Sequence, residues 1–357
     1  MVLIMYKYHL EDVEWGRFFI KDIFSIENCK CSKVSSLSLG DTPYVGATNR
    51  NNGVLSFVKK DDELMTTGNC IAFICDGEGS IGYSIYKGED FIGSTTVKVG
   101  RNKYLNKYNS MFITTISDRV RSKYNFGFKR NEKHLKKEIL QLPVDSEGNP
   151  NWHFMEEYIK ERESKKRQEL KDYYKNRLLD LVISPEVLTD VEWREVFIEE
   201  IAEIYSGKDI YEKERTMGDT PYITATANNN GIGYFVGNNN KTLDSECISV
   251  NRNGSVGYAF YHCYEALYGN DTRKLKPFRK NKYTALFIAH AITSQKDKYG
   301  YGYKMGTGRL KRQKIMLPVS DGEINYEYME NFIKNIEKKQ IKNVLKYLDE
   351  YIYIYNV

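Results

Sequence analysis

The chain contains no run of about 18 apolar residues, so no segment reads as a membrane-spanning helix. The stretch before Leu10 has neither the basic start nor the apolar length of a secretory signal, and a cytoplasmic protein with reduced cysteines is expected. Gly-Lys-Ser/Thr does not occur, which removes the phosphate-cradling loop of nucleotide hydrolases. None of the seven prolines precedes Asp, so a Pro-Asp nuclease signature is missing too. Charge of one sign is scarce: 53 Lys+Arg face 48 Asp+Glu, a net of +5, and the bulk value alone does not announce a nucleic-acid binder. The five histidines form no i,i+4 pair. Cys29, Cys31, Cys70 and Cys75 are enough thiols for a zinc site in the first half, but the second half offers only Cys247 and Cys263. No metal is expected.

What the chain does have is a duplicate of itself. Gly40–Val58, GDTPYVGATNRNNGVLSFV, returns 178 residues later as GDTPYITATANNNGIGYFV at Gly218–Val236. Asp12-Val13-Glu14-Trp15 matches Asp190-Val191-Glu192-Trp193 at the same offset. Gly79-Ser80-Ile81-Gly82-Tyr83 answers Gly254-Ser255-Val256-Gly257-Tyr258, and Leu142-Pro143-Val144 answers Leu317-Pro318-Val319, both 175 residues on. One unit used twice makes two similar contacts on a pseudo-symmetric target, and duplex DNA is the commonest such target.

Each copy starts with a Trp and an amphipathic stretch, followed by short alternating apolar segments broken by Gly and Asn, the pattern of strands and tight turns. Each ends in a long helical pattern. The first is capped by Asn151 and runs to about Ser184, before Pro185; the second starts after Asn325, with Ile324 and Met329 placed as a hydrophobic staple. About 30 residues at about 1.5 Å each make a rod of about 45 Å. Two such rods are expected to pack antiparallel, the apolar stripe from Met329 through Ile336 and Leu348 to Ile352 facing a partner. Leu3-Ile4-Met5 aligns with Leu181-Val182-Ile183, as though the units close on each other cyclically. The fold expected is α+β: two repeated mixed α/β modules, 1–150 and 185–324, separated by two long antiparallel helices, 151–184 and 325–357.

Together, the Trp openings, the Asp-Thr-Pro-Tyr…Asn-Asn-Gly segments, the Gly-Ser-Ile/Val-Gly turns, the Leu-Pro-Val exits and the long helices resemble the specificity subunits of restriction–modification systems of type I and type IIB. The compact length and the Asn-Asn-Gly and Gly-Ser-Val-Gly segments sit closer to the type IIB group. The resemblance covers essentially the whole chain. It implies a non-catalytic subunit in which each module is a target-recognition domain reading one half of a split sequence. The helices would space the halves and dock methyltransferase subunits, two per chain. S-adenosylmethionine and Mg2+ would then belong to those partners and not to this chain.

Candidate contacts to double-stranded DNA follow from residue chemistry. Asn pairs with adenine edges and Arg or Lys with guanine, and Thr48, Asn49, Arg50 and Asn51 supply such groups opposite Thr226, Asn228 and Asn229. The competing account of those loops is an Asn-Gly turn at Asn52-Gly53 and Asn230-Gly231. The Gly-Ser turn adds Ser80, and its counterpart Arg252 and Ser255. Lys123, Tyr124, Lys129 and Arg130, opposite Lys298, Tyr299, Tyr301, Tyr303 and Lys304, interleave aromatics with cations as a backbone-contacting segment does; an edge strand with packed tyrosines has the same pattern. Arg50 against Asn228, and Asp76-Gly77-Glu78 against Asn251-Arg252-Asn253, would encode unlike half-sites. Two other classes compete: a methyltransferase using Asp41-Thr42-Pro43-Tyr44 and Asp219-Thr220-Pro221-Tyr222, which resemble the Asp-Pro-Pro-Tyr motif, and an adaptor that binds subunits without reading sequence. Gly77–Gly82 fits G-x-G-x-x-G, yet a strand-like Tyr83-Ser84-Ile85-Tyr86 follows where a dinucleotide site needs a helix.

Overall fold

The computed structural model describes residues 7–77, 79–125, 127–181, 191–300 and 302–355, with side chains to residue 350. Leu3-Ile4-Met5, Glu78, Phe126, Ser184, Pro185 and Tyr301, and the side chain of Ile352, lie outside the described set. The chain divides into two compact units, Met1–Leu170 and Lys171–Val357.

In the first unit, Trp15–Phe19 pairs antiparallel with Ile139–Pro143, Trp15 opposite Pro143. The Trp segment, amphipathic in sequence, is thus a strand followed by one helical turn, Ile20–Ile23, and a second strand, Ser25–Asn28. That strand edges a sheet in the order Ser25–Asn28, Val97–Arg101, Cys70–Ile74, Ser84–Lys87. Cys70–Ile74 is buried at every residue, as its uninterrupted apolar run requires. A second sheet runs Val54–Val58, Leu39–Val45, Phe91–Gly93, Met65–Thr66, and pairs Tyr44 with Ile92 in parallel. Helix Lys107–Ser117 lays Phe112 and Ile113 onto Ile71, Phe73, Leu140 and Leu142 in one core, which Met155 of the long helix completes.

The second unit repeats this plan. Glu192–Phe197 pairs with Lys314–Ser320, Trp193 opposite Pro318. The sheet order is Ala202–Ser206, Thr272–Pro277, Cys247–Asn251, Ala259–His262. Ile232–Val236, Thr220–Ile223 and Leu267–Tyr268 form the other sheet, again with one parallel pair, Tyr222 to Leu267. Helix Lys282–Thr293 packs Phe287, Ile288 and Ile292 into a core that includes Met329.

The long helices are Trp152–Asp180 and Tyr326–Tyr355. Both start as their sequences demand: the Asn151 side chain accepts from the Phe154 amide and Asn325 from the Tyr328 amide, each at 2.9 Å. Each is locked to its module by an asparagine with two jobs. Asn106 caps helix Lys107–Ser117 through its carbonyl and donates its amide to Glu156 at 2.7 Å. Asn281 caps Lys282–Thr293 and donates to Glu330 at 2.9 Å. In the second unit the end of the first helix runs alongside the second: Lys171 meets Asp349 at 2.7 Å and Arg177 meets Glu337 at 2.8 Å. Rising numbers on one helix meet falling numbers on the other, so the pair is antiparallel. Arg177 also donates to the Tyr283 hydroxyl at 2.6 Å.

Candidate nucleic-acid interface

The Asn-Asn-Gly loops are built alike. Asn51, Asn52 and Gly53 all take left-handed backbone, φ +49°, +51° and +77°, as do Asn229, Asn230 and Gly231 at +50°, +54° and +76°. Asparagine and glycine tolerate this region where other residues are strained, so the triplet specifies the loop. A two-residue hairpin turn would need only two such positions; here there are three. The Arg50 amide donates to Thr48 Oγ1 at 3.1 Å and the Asn228 amide to Thr226 Oγ1 at 3.2 Å. Thr48 and Thr226 thereby brace the loop from within, half-buried, while Asn49, Arg50, Asn51, Asn228 and Asn229 are exposed at its crest.

The Gly-Ser turn leans on this loop. A Cβ on Gly77 would fall 2.7 Å from that of Ala47, and one on Gly254 would fall 2.7 Å from the Ala225 carbonyl oxygen. In the second unit the Ser255 amide donates to Ala225 at 3.2 Å and the buried Asn251 amide group to the Thr226 carbonyl at 2.9 Å. The far end of the turn meets the third segment: Gly82 (φ +95°) lies against Arg121 Cα and Gly257 (φ +84°) against Lys296 Cα, too close for any side chain. Strands Ser84–Lys87 and Ala259–His262 follow the turns, so no helix N-terminus awaits a pyrophosphate.

The third segment is a small aromatic hairpin. Asn125 bridges Phe128, and Gly300 bridges Tyr303. Tyr124 stacks on Phe128 and Tyr299 on Tyr303, both with centroids 5.7 Å apart. His134 stacks on Phe128 at 4.4 Å, and its counterpart Arg309 lies 3.9 Å over Tyr303. The three segments singled out in sequence are thus contiguous in each unit.

Individual residues part from the sequence expectation. Arg130 is wholly buried: it donates to both oxygens of Glu138, at 2.7 and 2.6 Å, and to the carbonyls of Gly82 and Tyr83. It fastens the turn to the hairpin and presents nothing to a ligand. Ser80 is buried inside its turn, its amide given to the Gly77 carbonyl, whereas Ser255 stays half-exposed. Tyr124 and Tyr299 expose one ring face at most, their hydroxyls held by Glu138 at 2.6 Å and Gln313 at 2.7 Å. Lys129 is exposed but tied to Asp76 at 2.7 Å; Arg252 pairs with Asp271 at 3.2 Å. Lys123, Lys298 and Tyr303 are exposed, and Lys304 is half-buried. Two other basic residues are turned inward: Arg101 holds the carbonyls of Thr67 and Gly68, and buried Lys274 meets Asp244 at 2.8 Å.

Sequence reading missed Arg17, His134 and Lys137, which with Lys123 and Phe128 line an open cleft of about 560 Å3 beside the first hairpin. It also missed Arg121, 4.2 Å over the Tyr83 ring. The signal for Arg121 was available, because it precedes the hairpin at the offset of Lys296, which lies over Tyr258. Tyr44 and Tyr222 of the Asp-Thr-Pro-Tyr segments are buried in strands, out of reach of a base. The thiols of Cys29, Cys70 and Cys75 are buried and pushed by desolvation up to about 11, 12 and 11, and so remain protonated.

The type I restriction modification DNA specificity domain, as a family model, matches residues 12–172 and again 190–347. The chain belongs to this family. Its two domains stand in tandem, and the specificity subunit is a recognition component, not an enzyme. It is 30% identical, over 92% of its length and 96% of the relative's, to the type II restriction enzyme BgcI specificity subunit S.BcgI of Heyndrickxia coagulans. It shares its fold with the S subunit of a type I restriction–modification system from M. genitalium (TM-score 0.54, 16% identity, 96% of this chain and 94% of that one). Among the described residues of the specificity subunit no helix is long and apolar enough to cross a membrane.

Proposed function

We propose that this specificity subunit reads a split DNA sequence, one half with each module, and carries methyltransferase subunits to it. The observation that supports this most is the coincidence, in both units, of loop, turn and hairpin at one place, each with side chains suited to base edges or phosphates. Base contacts are assigned to Asn49, Arg50 and Asn51 in the first module and to Asn228 and Asn229 in the second, with Ser255 and Arg252 beside them. Lys123, Lys129, Lys298, Tyr303 and Lys304 flank these as phosphate contacts, and Arg121 and Arg309 join them. The modules are taken as 1–150 and 185–324, with spacer helices 151–184 and 325–357.

The two halves would lie about one helical turn (~34 Å) apart, as the pseudo-twofold repeat implies. The relative of 30% identity is a type II specificity subunit, which favours a partner of that class, methyltransferase and nuclease in one chain. Two such partners per chain, bringing S-adenosylmethionine and Mg2+, would supply base flipping and cleavage. The complex would work in the cytoplasm.

The test is expression of the chain with its neighbouring methyltransferase in a host free of DNA methylation, followed by long-read mapping of modified bases. A single split motif with unlike halves is expected, and exchanging modules should exchange halves. A stable complex that modifies no defined sequence would overturn the reading in favour of an adaptor.

A further inference from the structure

Beneath each exposed Asn-Asn-Gly loop lies a buried polar side chain, Lys87 or His262, held by a more exposed partner two residues on, Glu89 or Tyr264, and no DNA contact explains either pair. In the second unit His262, closed to solvent at the end of strand Ala259–His262, has Ser249 Oγ 2.8 Å from Nε2 and the Tyr264 hydroxyl 3.1 Å from Nδ1. The same hydroxyl accepts from the side-chain amide of Asn230 at 3.1 Å, and that amide also reaches the Tyr261 carbonyl at 3.3 Å. Desolvation holds the imidazole neutral, its pKa pushed down to about 4. The proton arrangement that satisfies each group runs from Asn230 N–H to the Tyr264 oxygen and from Tyr264 O–H to Nδ1, with Nε2–H given to Ser249.

The first unit solves the same problem with other chemistry. Lys87 occupies the position of His262, opposite Cys70 as His262 is opposite Cys247. It too is fully buried. It pairs with Glu89, which stands two residues on as Tyr264 does, and donates to the Asn52 carbonyl at 3.4 Å. Asn52 and Asn230 are equivalent, the middle residues of the two left-handed triplets. Ala72 stands where Ser249 does, since an ammonium with a carboxylate and a carbonyl does not need the hydroxyl that an imidazole needs.

We infer that Lys87–Glu89 and His262–Tyr264 are positioning pairs, each fixing the conformation of one base-reading loop and so governing discrimination at one half-site only. The inference rests on the proposed recognition function and adds what aims each loop. The second loop is held through an amide side chain by neutral groups, the first through its backbone by an ion pair. Neither pair can be exchanged for the other without also changing what it grips.

Tyr264→Phe removes the one hydroxyl that joins His262 to Asn230 and keeps the ring. With the assembled complex and duplexes altered in one half or the other, Tyr264→Phe should cut discrimination at the second half-site about three- to tenfold, the effect of a hydrogen bond. It should leave the first half-site as it was. Glu89→Gln should do the reverse. Asn230→Gly, which removes the amide on the exposed side of the same link and still tolerates the left-handed backbone, guards against a folding defect: it should match Tyr264→Phe, and the double variant should be no worse than either single one. Equal losses at both halves, additive effects of Tyr264→Phe and Asn230→Gly, or unchanged discrimination would each overturn the inference. If the unaltered complex reads no sequence at all, the recognition function falls with it; if it reads its split target and the variants do too, only the positioning role falls.

Discussion

Arg130 and Glu138 form a closed ion pair at 2.6 Å in the first unit, while the equivalent positions of the second unit hold Met305 and Gln313. Around them the substitutions run in step: Ser84 and Ser117, which share the Arg130 guanidinium, become Ala259 and Ile292. One hydroxyl bond survives, Tyr124 to Glu138 and Tyr299 to Gln313. The fold therefore accepts an ionic and a nearly apolar filling of one site. Removing one member of a buried pair strands the other charge, at about 3–5 kcal/mol, whereas replacing both is often neutral. Arg130→Met should thus sharply lower the urea midpoint of the first unit. Adding Glu138→Gln, Ser84→Ala and Ser117→Ile should restore most of the loss.

Acid should act on the second unit through His262. Its folded imidazole, lowered by burial from 6.5 to about 4, takes up a proton later than the unfolded chain does. The contribution is complete above about pH 6.5 and is lost as pH falls through about 4, an effect of about 3 kcal/mol in all. Unfolding free energies measured across that window should fall more steeply for the unaltered chain than for His262→Gln.

Arg50→Ala and Asn228→Ala should each cost about 1–3 kcal/mol of discrimination at one half-site and little at the other. Competition binding with targets altered in a single half reads this directly. Equal losses at both halves would exclude these loops as the reading elements.

Lys123→Ala and Lys298→Ala should behave differently, weakening binding to all sequences alike and reducing the slope of log affinity against log salt by about 1 each. A titration from low to moderate salt separates the two classes.

The double-duty asparagines set the helix starts. Asn106→Ala and Asn281→Ala should each cost about 1 kcal/mol or more, since a cap is lost and half-buried Glu156 or Glu330 is left with its lysine, Lys160 or Lys334, in place of two donors. Asn106→Asp keeps the cap but sets two carboxylates together, so at neutral pH its melting temperature should still fall below that of the unaltered chain.

The repeat, the strands around Ile71 and Ile248, and the caps Asn151 and Asn325 were legible because each depends on local pattern: an apolar run or an oxygen before a helix. The loop, turn and hairpin were legible as candidates because they recur at matched spacing. The direction of individual side chains was not. Arg130 and Lys129 are neighbours of like charge, yet one is sealed in the core and the other exposed, a distinction set by the partner each meets, buried Glu138 for one and Asp76 at the surface for the other. His262 and Lys87 differ in residue type, so a comparison of residues alone does not pair them; the 175-residue offset and the register opposite Cys247 and Cys70 do. Arg101 and Lys274 are charged yet turn inward, because the carbonyls of Thr67 and Gly68 and the carboxylate of Asp244 await them.

The left-handed triplets carry a consequence for how such a protein changes over generations. Shape in the loop is written by Asn51-Asn52-Gly53 and Asn229-Asn230-Gly231; on the proposed function, meaning would be written by Asn49, Arg50 and Asn228 just ahead, and by the exposed Asn51 and Asn229. Grammar and vocabulary would then overlap only at Asn51 and Asn229. A mutation at Asn49, Arg50 or Asn228 would then alter what is read while the sentence still parses, so new specificities would lie one substitution away from a folded ancestor and need no refolded intermediate.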